Sequence, residues 1–353
     1  MKGYLILENG RVFQGKLLND CVLSPGEVVF TTAMISYQDI ITDPSYYGQI
    51  VVMTYPLVGN VGFNARSFAS RSAMVQGLVL RELTDFPSHW EMDTDIVSFL
   101  KSSEVAVLTE VDTRALTRVI RNEGVMGGVI SDHLDDVAEL QRQAASLQLS
   151  GDQVQYVSRR NIMRYGEGHP RIVMLDLGSK RGVLESFTRR GCELIAAPAR
   201  STAEAILALQ PQGVYISDGP GDPRAISYAV ETVQRLSRQV PLFGVGLGHQ
   251  VIAQALGAKI KKLEHGHRGG NHPVRDLNSS RVYITTQNHG YAVDESSLSP
   301  ELTVTLRSLN DDSVEGLRHQ SLPINSVQFD PEGYVGYSET GRFFEEFISY
   351  CRK

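Results

Sequence analysis

The chain has 353 residues, of which 42% are hydrophobic and 21% are charged, and its formal net charge is -6. This length accommodates two domains with separate cores, and the acidic balance gives no support for binding to nucleic acid or to an anionic membrane surface. The sequence has no run of about 18 apolar residues and no signal-peptide pattern, which predicts a cytoplasmic location.

The first 150 residues predict a mixed α+β domain. Strand-like apolar runs occur at 4–7, 11–13, 28–32, 49–55 and 74–80. Helical signals follow, because Asp112 and Thr113 can cap a helix over 114–121 and apolar residues recur at helical spacing over 134–148. The polar, aromatic stretch 37–46 is too long for a simple connection, so it predicts a surface loop with a binding role.

Residues 151–169 are polar and charged and have no apolar periodicity. This composition predicts a linker between the first domain and a second domain over 170–353. The three cysteines, Cys21, Cys192 and Cys351, are far apart and have no metal-ligand spacing, which predicts free thiols.

The second domain alternates regularly between strand and helix patterns. The predicted strands lie at 171–177, 193–197, 213–217 and 242–245, with helices at 180–190, 202–210, 225–239 and 249–256. Such alternation indicates βαβ units and a mostly parallel sheet with helices on both faces. Ligands on these sheets bind beyond the carboxyl ends of the strands, which brings together the loops near Ser179, 217–223, 246–248 and 328–334.

One of these loops has the pattern of a nucleophile elbow. A buried strand at 242–245 leads through Gly244-Val245-Gly246-Leu247-Gly248 into a helix. A sharp strand-to-helix turn exposes one residue above the helix N-terminus, where backbone N–H groups stabilise developing negative charge. The nucleophile position here is Gly246, which has no side chain with which to attack.

Three other segments have residue types suited to recognition. The turn Ser217-Asp218-Gly219-Pro220-Gly221 can present N–H groups to an oxyanion, and residues 287–291 offer amide groups. The histidine pair in 266–273 has poor spacing for zinc, so we expect it to stabilise a loop and we assign no metal site.

Taken together, these segments resemble the small subunit of carbamoyl-phosphate synthase, whose second domain is a class I (triad) glutamine amidotransferase. The resemblance covers nearly the whole chain. Beyond the elbow and the Gly-Pro-Gly turn, the matching segments are 26–34, 42–46, 54–62, 111–118 and 266–274. The N-terminal segments are specific to this subunit rather than to amidotransferases in general.

The resemblance implies glutamine hydrolysis that supplies ammonia to a large subunit, for carbamoyl phosphate synthesis in arginine or pyrimidine biosynthesis. A cysteine at the elbow, activated by a histidine, attacks the glutamine amide and releases ammonia through a thioester. The carried-over glutamine-binding positions are Ser45, Gly219, Gly221, Leu247, Gln250, Asn288, Gly290 and Tyr291. The backbone N–H of Leu247 would contribute to the oxyanion hole. ATP and Mg are expected on the large subunit, with no cofactor in this chain.

The chain departs from the family at the reacting residues. The cysteine position is Gly246, and the His-Pro-Glu sequence reads Asp330-Pro331-Glu332, so only Glu332 of the triad is retained. The usual asparagine before the Gly-Pro-Gly turn is Asp218. We therefore predict a subunit that keeps a docking or regulatory role in an ammonia-dependent synthase and has no glutaminase activity, or very little, of its own.

Three alternatives remain open from the sequence. Glutaminase activity could persist through a nucleophile that the motifs do not reveal. The chain could be a non-catalytic glutamine-binding paralogue that acts outside the synthase. Finally, Gly244-x-Gly246-x-Gly248 could be a dinucleotide fingerprint with Glu264 as the ribose ligand, but its third glycine position is His249.

Overall fold

The computed structural model describes residues 1–19, 23–84, 86–103, 105–147, 151–333 and 339–352. These residues divide into two compact units. The first unit comprises residues 1–149 and 264–268, and the second comprises residues 150–263 and 269–353. Cys192 and Cys351 are buried free thiols, as predicted, and Cys21 lies outside the described residues.

The first unit is built on a β-barrel. Its elements are β1 Lys2–Leu7, β2 Val12–Leu17, β3 Leu23–Thr31, α1 Tyr37–Thr42, β4 Gln49–Met53, β5 Leu57–Val58, β6 Gly77–Val79, β7 Glu82–Leu83, α2 Ile96–Ser102, β8 Ala106–Thr109, α3 Thr113–Glu123, β9 Met126–Ser131 and α4 Val137–Ala145. The barrel closes in the order β1-β2-β8-β6-β4-β3-β9. Successive residues of β4 belong to two different apolar clusters, because alternate side chains point to opposite faces and both faces are covered.

The predicted surface loop at 37–46 is wrong. Residues 37–42 form α1 and residues 44–46 form a single 3-10 turn, and the apolar side chains of both are buried. The buried residues that pack into the core are Tyr37, Ile40, Ile41 and Tyr46. The hydroxyl of Tyr37 donates to the Gly62 carbonyl at 2.6 Å, so this polar aromatic residue is buried with its polar atom satisfied.

The second unit is built on a ten-stranded sheet. Its elements are α5 Val154–Val157, β10 Met163–Tyr165, β11 Arg171–Asp176, α6 Arg181–Arg189, β12 Glu193–Pro198, α7 Ala203–Leu207, β13 Gly213–Ile216, α8 Ser227–Leu236, β14 Leu242–Val245, α9 Leu247–Ala255, β15 Lys259–Asp276, β16 Val282–Asp294, β17 Leu302–Ser308, β18 Val314–His319, β19 Ile324–Val327 and α10 Arg342–Cys351. The strand order is β10-β12-β11-β13-β14-β19-β18-β17-β15-β16.

The predicted α/β class is confirmed. Strands β12, β11, β13, β14 and β19 are parallel, and β18, β17 and β15 continue the sheet with antiparallel pairing. One face packs against a cluster that includes Val251 and Ile252 of α9, and the other against Phe344 and Phe347 of α10. Because both faces are covered, the loops at the carboxyl ends of the parallel strands are where a ligand can approach.

Two segments have more structure than the sequence predicts. The linker region 151–169 contains α5 and β10, and β10 pairs antiparallel with β12. These elements are four and three residues long, too short to produce a periodic pattern. Residues 266–273, expected as a loop, lie inside the long strand β15. Among the described residues, no helix is long and apolar enough to cross a membrane.

Candidate functional site

The turn between β14 and α9 has the geometry that the sequence predicts for an elbow. Gly246 links the two elements with φ 54° and ψ -115°, a conformation that strains any residue with a side chain. Its N–H donates to the Val327 carbonyl at 3.0 Å, which fixes the turn against β19. An ideal Cβ on Gly248 would overlap the carbonyl oxygen of Ile216, so a glycine there lets α9 approach β13 closely.

The space above Gly246 is filled by Asp218. An ideal Cβ on Gly246 would lie well inside van der Waals contact of the Asp218 carboxylate. The N–H of Leu247, predicted as an oxyanion-hole donor, donates to Asp218 Oδ1 at 2.8 Å. Asp218 is only 7% exposed. A carboxylate of the chain itself therefore engages the helix N-terminus at the elbow.

The predicted triad positions after β19 are paired with a lysine. The Lys180 Nζ lies 2.6 Å from Asp330 Oδ2 and 3.2 Å from Glu332 Oε1, and all three side chains are nearly buried. The backbone N–H of Asp330 donates to the Thr286 carbonyl at 2.9 Å, which fixes this segment against β16. Buried charges are stable only when they are paired, so Lys180 is the counter-ion that the two carboxyl groups require.

Tyr215 lies beside this charged cluster. It is fully buried at the centre of the sheet, and its hydroxyl has no hydrogen-bond partner among the described residues. Burial raises the pKa of Tyr215 well above its usual value, and the negative charge of Glu332 acts in the same direction. Within the described residues, the carboxyl groups of Asp218, Asp330 and Glu332 and the ammonium group of Lys180 thus lie around a buried phenol.

The loops at the carboxyl ends of the parallel strands are joined to one another. The N–H of Leu177, after β11, donates to Ser217 Oγ at 2.9 Å. Asp218, after β13, bonds to the first residue of α9, and Lys180 bonds to the segment after β19. Within the described residues, the loops that the sequence predicts to meet therefore do meet; position 334 lies outside them.

Two of the predicted glutamine-binding positions, Gln250 and Tyr291, are in direct contact. Gly219 and Gly221 lie in the loop after β13, and Asn288, Gly290 and Tyr291 lie in β16. The Gln250 Nε2 donates to the Tyr291 carbonyl at 2.9 Å and to Gln328 Oε1 at 3.0 Å. Ser45 belongs to the first unit, where its Oγ donates to Asp43 Oδ1 at 2.7 Å.

A buried network orders the central part of β16. The Nε2 of His289 lies 3.0 Å from Gln287 Oε1 and its Nδ1 lies 2.8 Å from the Tyr291 carbonyl. Gln287 in turn donates to Glu315, which is completely buried in β18. Satisfied buried networks of this kind hold one arrangement, so the backbone around Asn288 is rigid.

Sequence reasoning missed Lys180, His249 and Gln328. His249 is fully buried in α9, with Nδ1 2.8 Å from Ser326 Oγ, and burial lowers its pKa to about 3. The signal for Lys180 was its place directly after the first strand of a parallel sheet, at the same edge as two predicted carboxylates. No comparable signal distinguished His249 from an ordinary polar residue of the helix.

Comparison with known proteins assigns both parts of the chain. Residues 5–130 match the family model of the carbamoyl-phosphate synthase small chain, CPSase domain. Residues 173–350 match the model of the class-I glutamine amidotransferases.

Relatives match over the whole length. The carbamoyl phosphate synthase small chain of Oceanobacillus iheyensis is 43% identical over 99% of this chain and 96% of its own length. The pyrimidine-specific small chain of Bacillus subtilis is 42% identical, covering 99% of this chain and 95% of that protein. A solved glutamine amidotransferase from Thermotoga maritima is 17% identical, covers 53% of this chain and 84% of that structure, and has a TM-score of 0.39, too low to add weight. By the two family models and the full-length relatives, this chain belongs to the family of carbamoyl-phosphate synthase small chains.

Proposed function

We propose that this chain is a carbamoyl-phosphate synthase small subunit that has lost glutamine hydrolysis and supports a synthase that uses free ammonia. One observation carries the proposal. The elbow residue is Gly246, and the Asp218 carboxylate occupies the place where a nucleophilic side chain would begin. Comparable hydrolases that lose their nucleophile keep only the rate that substrate binding and the oxyanion hole provide. That rate is several orders of magnitude lower.

The described cysteines do not offer a replacement nucleophile. Cys192 directly precedes β12 and Cys351 is the last residue of α10, and both side chains are buried in the apolar core among aromatic side chains. Burial raises the pKa of Cys192, and it raises that of Cys351 to about 12. A thiol attacks as its thiolate, so these two buried groups are poor nucleophiles at neutral pH.

The second triad position supports the same conclusion. Asp330 stands where the family has its histidine, and it is ion-paired with Lys180 at 2.6 Å. An ion-paired carboxylate is a weak base, and no thiol is present for it to activate. Glu332 remains, but its role in the family is to orient an imidazole that this chain does not have at that place.

We assign the subunit a docking or regulatory role toward the large subunit, which would bind ATP and Mg²⁺. This chain has no G-x-x-x-x-G-K-[ST] phosphate loop, which agrees with that division. Residues Gly219, Gly221, Leu247, Gln250, Asn288, Gly290 and Tyr291 would be the remains of the glutamine site. The cytoplasmic location stays a prediction, and the carbamoyl phosphate would serve arginine or pyrimidine biosynthesis.

The test is carbamoyl phosphate synthesis by the complex of this chain with its large subunit. The assay compares glutamine with ammonium chloride as the nitrogen donor, at saturating ATP and bicarbonate. We expect ammonium to support synthesis and glutamine to give at most about a thousandth of that rate. Comparable rates with the two donors would contradict the proposal, and a failure of the two chains to associate would contradict the docking role.

A further inference from the structure

We propose that Asp218 is the residue that excludes glutamine from the elbow, so that restoring the cysteine and the histidine alone does not restore hydrolysis. The inference rests on the proposed function and adds a specificity-determining residue to it. It concerns a position at which the resemblance to the family implies an asparagine and this chain has an aspartate.

Asp218 competes with glutamine for the backbone N–H of Leu247. A glutamine side chain that is to be hydrolysed must place its amide oxygen against the N–H at the elbow. In this chain the Leu247 N–H already donates to Asp218 Oδ1 at 2.8 Å. A carboxylate is a stronger acceptor than a neutral amide oxygen, and this one belongs to the chain itself. Glutamine would have to displace it to reach the donor.

Asp218 also occupies the space that a side chain at position 246 would need. An ideal Cβ on Gly246 meets the Oδ1, Cγ and Cβ atoms of Asp218, so a side chain there requires Asp218 to move. A glycine at 246 and an aspartate at 218 are thus matched to each other. A thiol introduced at 246 alone would face a carboxylate, which disfavours the thiolate.

Negatively charged side chains are concentrated around the elbow. Lys180 pairs with Asp330 and Glu332, and the side chains of these three residues are 11%, 7% and 8% exposed. Asp218, Asp330 and Glu332 all act electrostatically on the hydroxyl of Tyr215, which places their charges in one buried region. The oxyanion that forms when an amide is attacked would develop next to Asp218, where like charge opposes it.

The first experiment measures glutamine binding by calorimetry to the complex with the large subunit, without any change at Gly246. Asp218→Asn keeps the shape and removes the charge, and Asp218→Ala also empties the space. Glu193→Gln is the control, since Glu193 lies at the start of β12, at the opposite edge of the sheet, where it pairs with Arg171 at 2.6 Å. We expect at least tenfold tighter binding in both Asp218 variants than in the parent and no change in Glu193→Gln.

The second experiment measures glutamate release from glutamine in two variants. One is Gly246→Cys/Asp330→His, and the other adds Asp218→Asn. We expect hydrolysis at least tenfold faster in the triple variant. Equal rates, or Asp218 variants that bind glutamine no better than the parent, would overturn the inference. If the cysteine variants do not fold, the binding series decides alone.

The failure of this inference is distinguishable from failure of the proposed function. Hydrolysis of glutamine by the unaltered chain would overturn the proposed function. An unaltered chain that is inactive, with Asp218 variants that behave like it, would overturn only the role of Asp218.

Discussion

At the scale of single residues, the backbone of the elbow between β14 and α9 is suited to glycine. Gly246 adopts a positive φ beside Asp218, and both features disfavour a side chain. We predict that Gly246→Ala lowers the free energy of unfolding by about 1–3 kcal/mol, from backbone strain and from displacement of the carboxylate. Urea unfolding measures this, with Gly151→Ala as the control because no atom lies near its Cβ position. Equal stability of the two variants would contradict the account.

Lys180 is predicted to hold the charged cluster together. In Lys180→Met, Asp330 and Glu332 would be buried without their counter-ion, which costs about 3 kcal/mol of unfolding free energy at neutral pH. Arg181→Met is the control: its exposed pair with Glu185 contributes about 0.5 kcal/mol or less. A Lys180→Met protein as stable as this control would refute the role of the lysine.

His249 gives the molecule a predicted sensitivity to acid. Burial lowers its pKa to about 3, whereas an unfolded histidine titrates near 6.5. The unfolded chain therefore binds a proton that the folded chain excludes. The contribution of the neutral His249 to the free energy of unfolding is fully present above about pH 6.5, and it declines as the pH falls toward 3.

The matched variant is His249→Asn, which can keep the hydrogen bond to Ser326. Between about pH 7.5 and pH 5, we expect the parent to lose about 2 kcal/mol more stability than this variant. Urea titrations at the two pH values measure the difference, and exposed His169→Asn serves as the control. Parallel losses in the parent and His249→Asn would show that the buried imidazole is not responsible.

At the scale of elements, the sequence predicted strands and helices where local chemistry decides them. Asp112 was recognised as a cap, and its side chain accepts the Ala115 N–H at 2.9 Å at the start of α3. We predict that Asp112→Ala lowers the unfolding free energy by about 1 kcal/mol and that Asp112→Asn changes it by much less. Thermal unfolding of the two variants tests this, and identical melting temperatures would be the contrary result.

The element predictions failed where burial overrides composition. Residues 37–46 look like a loop because they are polar and aromatic, but α1 is buried and Tyr37 satisfies its hydroxyl within the first unit. Strand β15 was missed because glycines and histidines interrupt its apolar pattern. Tertiary packing determines such segments, and a single sequence does not contain it.

At the scale of the whole molecule, the positions of the site could be predicted but its contacts could not. The order of motifs located Gly246, Asp330 and Glu332 at one edge of the sheet. The ion pairs of Lys180 and the bond from Asp218 to Leu247 depend on side-chain directions in loops far apart in the chain. Only these contacts show that the Asp218 carboxylate fills the space above Gly246.

The most direct test of the central claim is the source of nitrogen when both donors are present. The complex with the large subunit would receive ¹⁵N-amide glutamine together with unlabelled ammonium, and the carbamoyl phosphate formed would be analysed by mass spectrometry. We predict that the ¹⁵N content of the carbamoyl phosphate does not exceed the level that spontaneous glutamine breakdown supplies. Product enriched in ¹⁵N would show that the chain still delivers nitrogen from glutamine and would contradict the account.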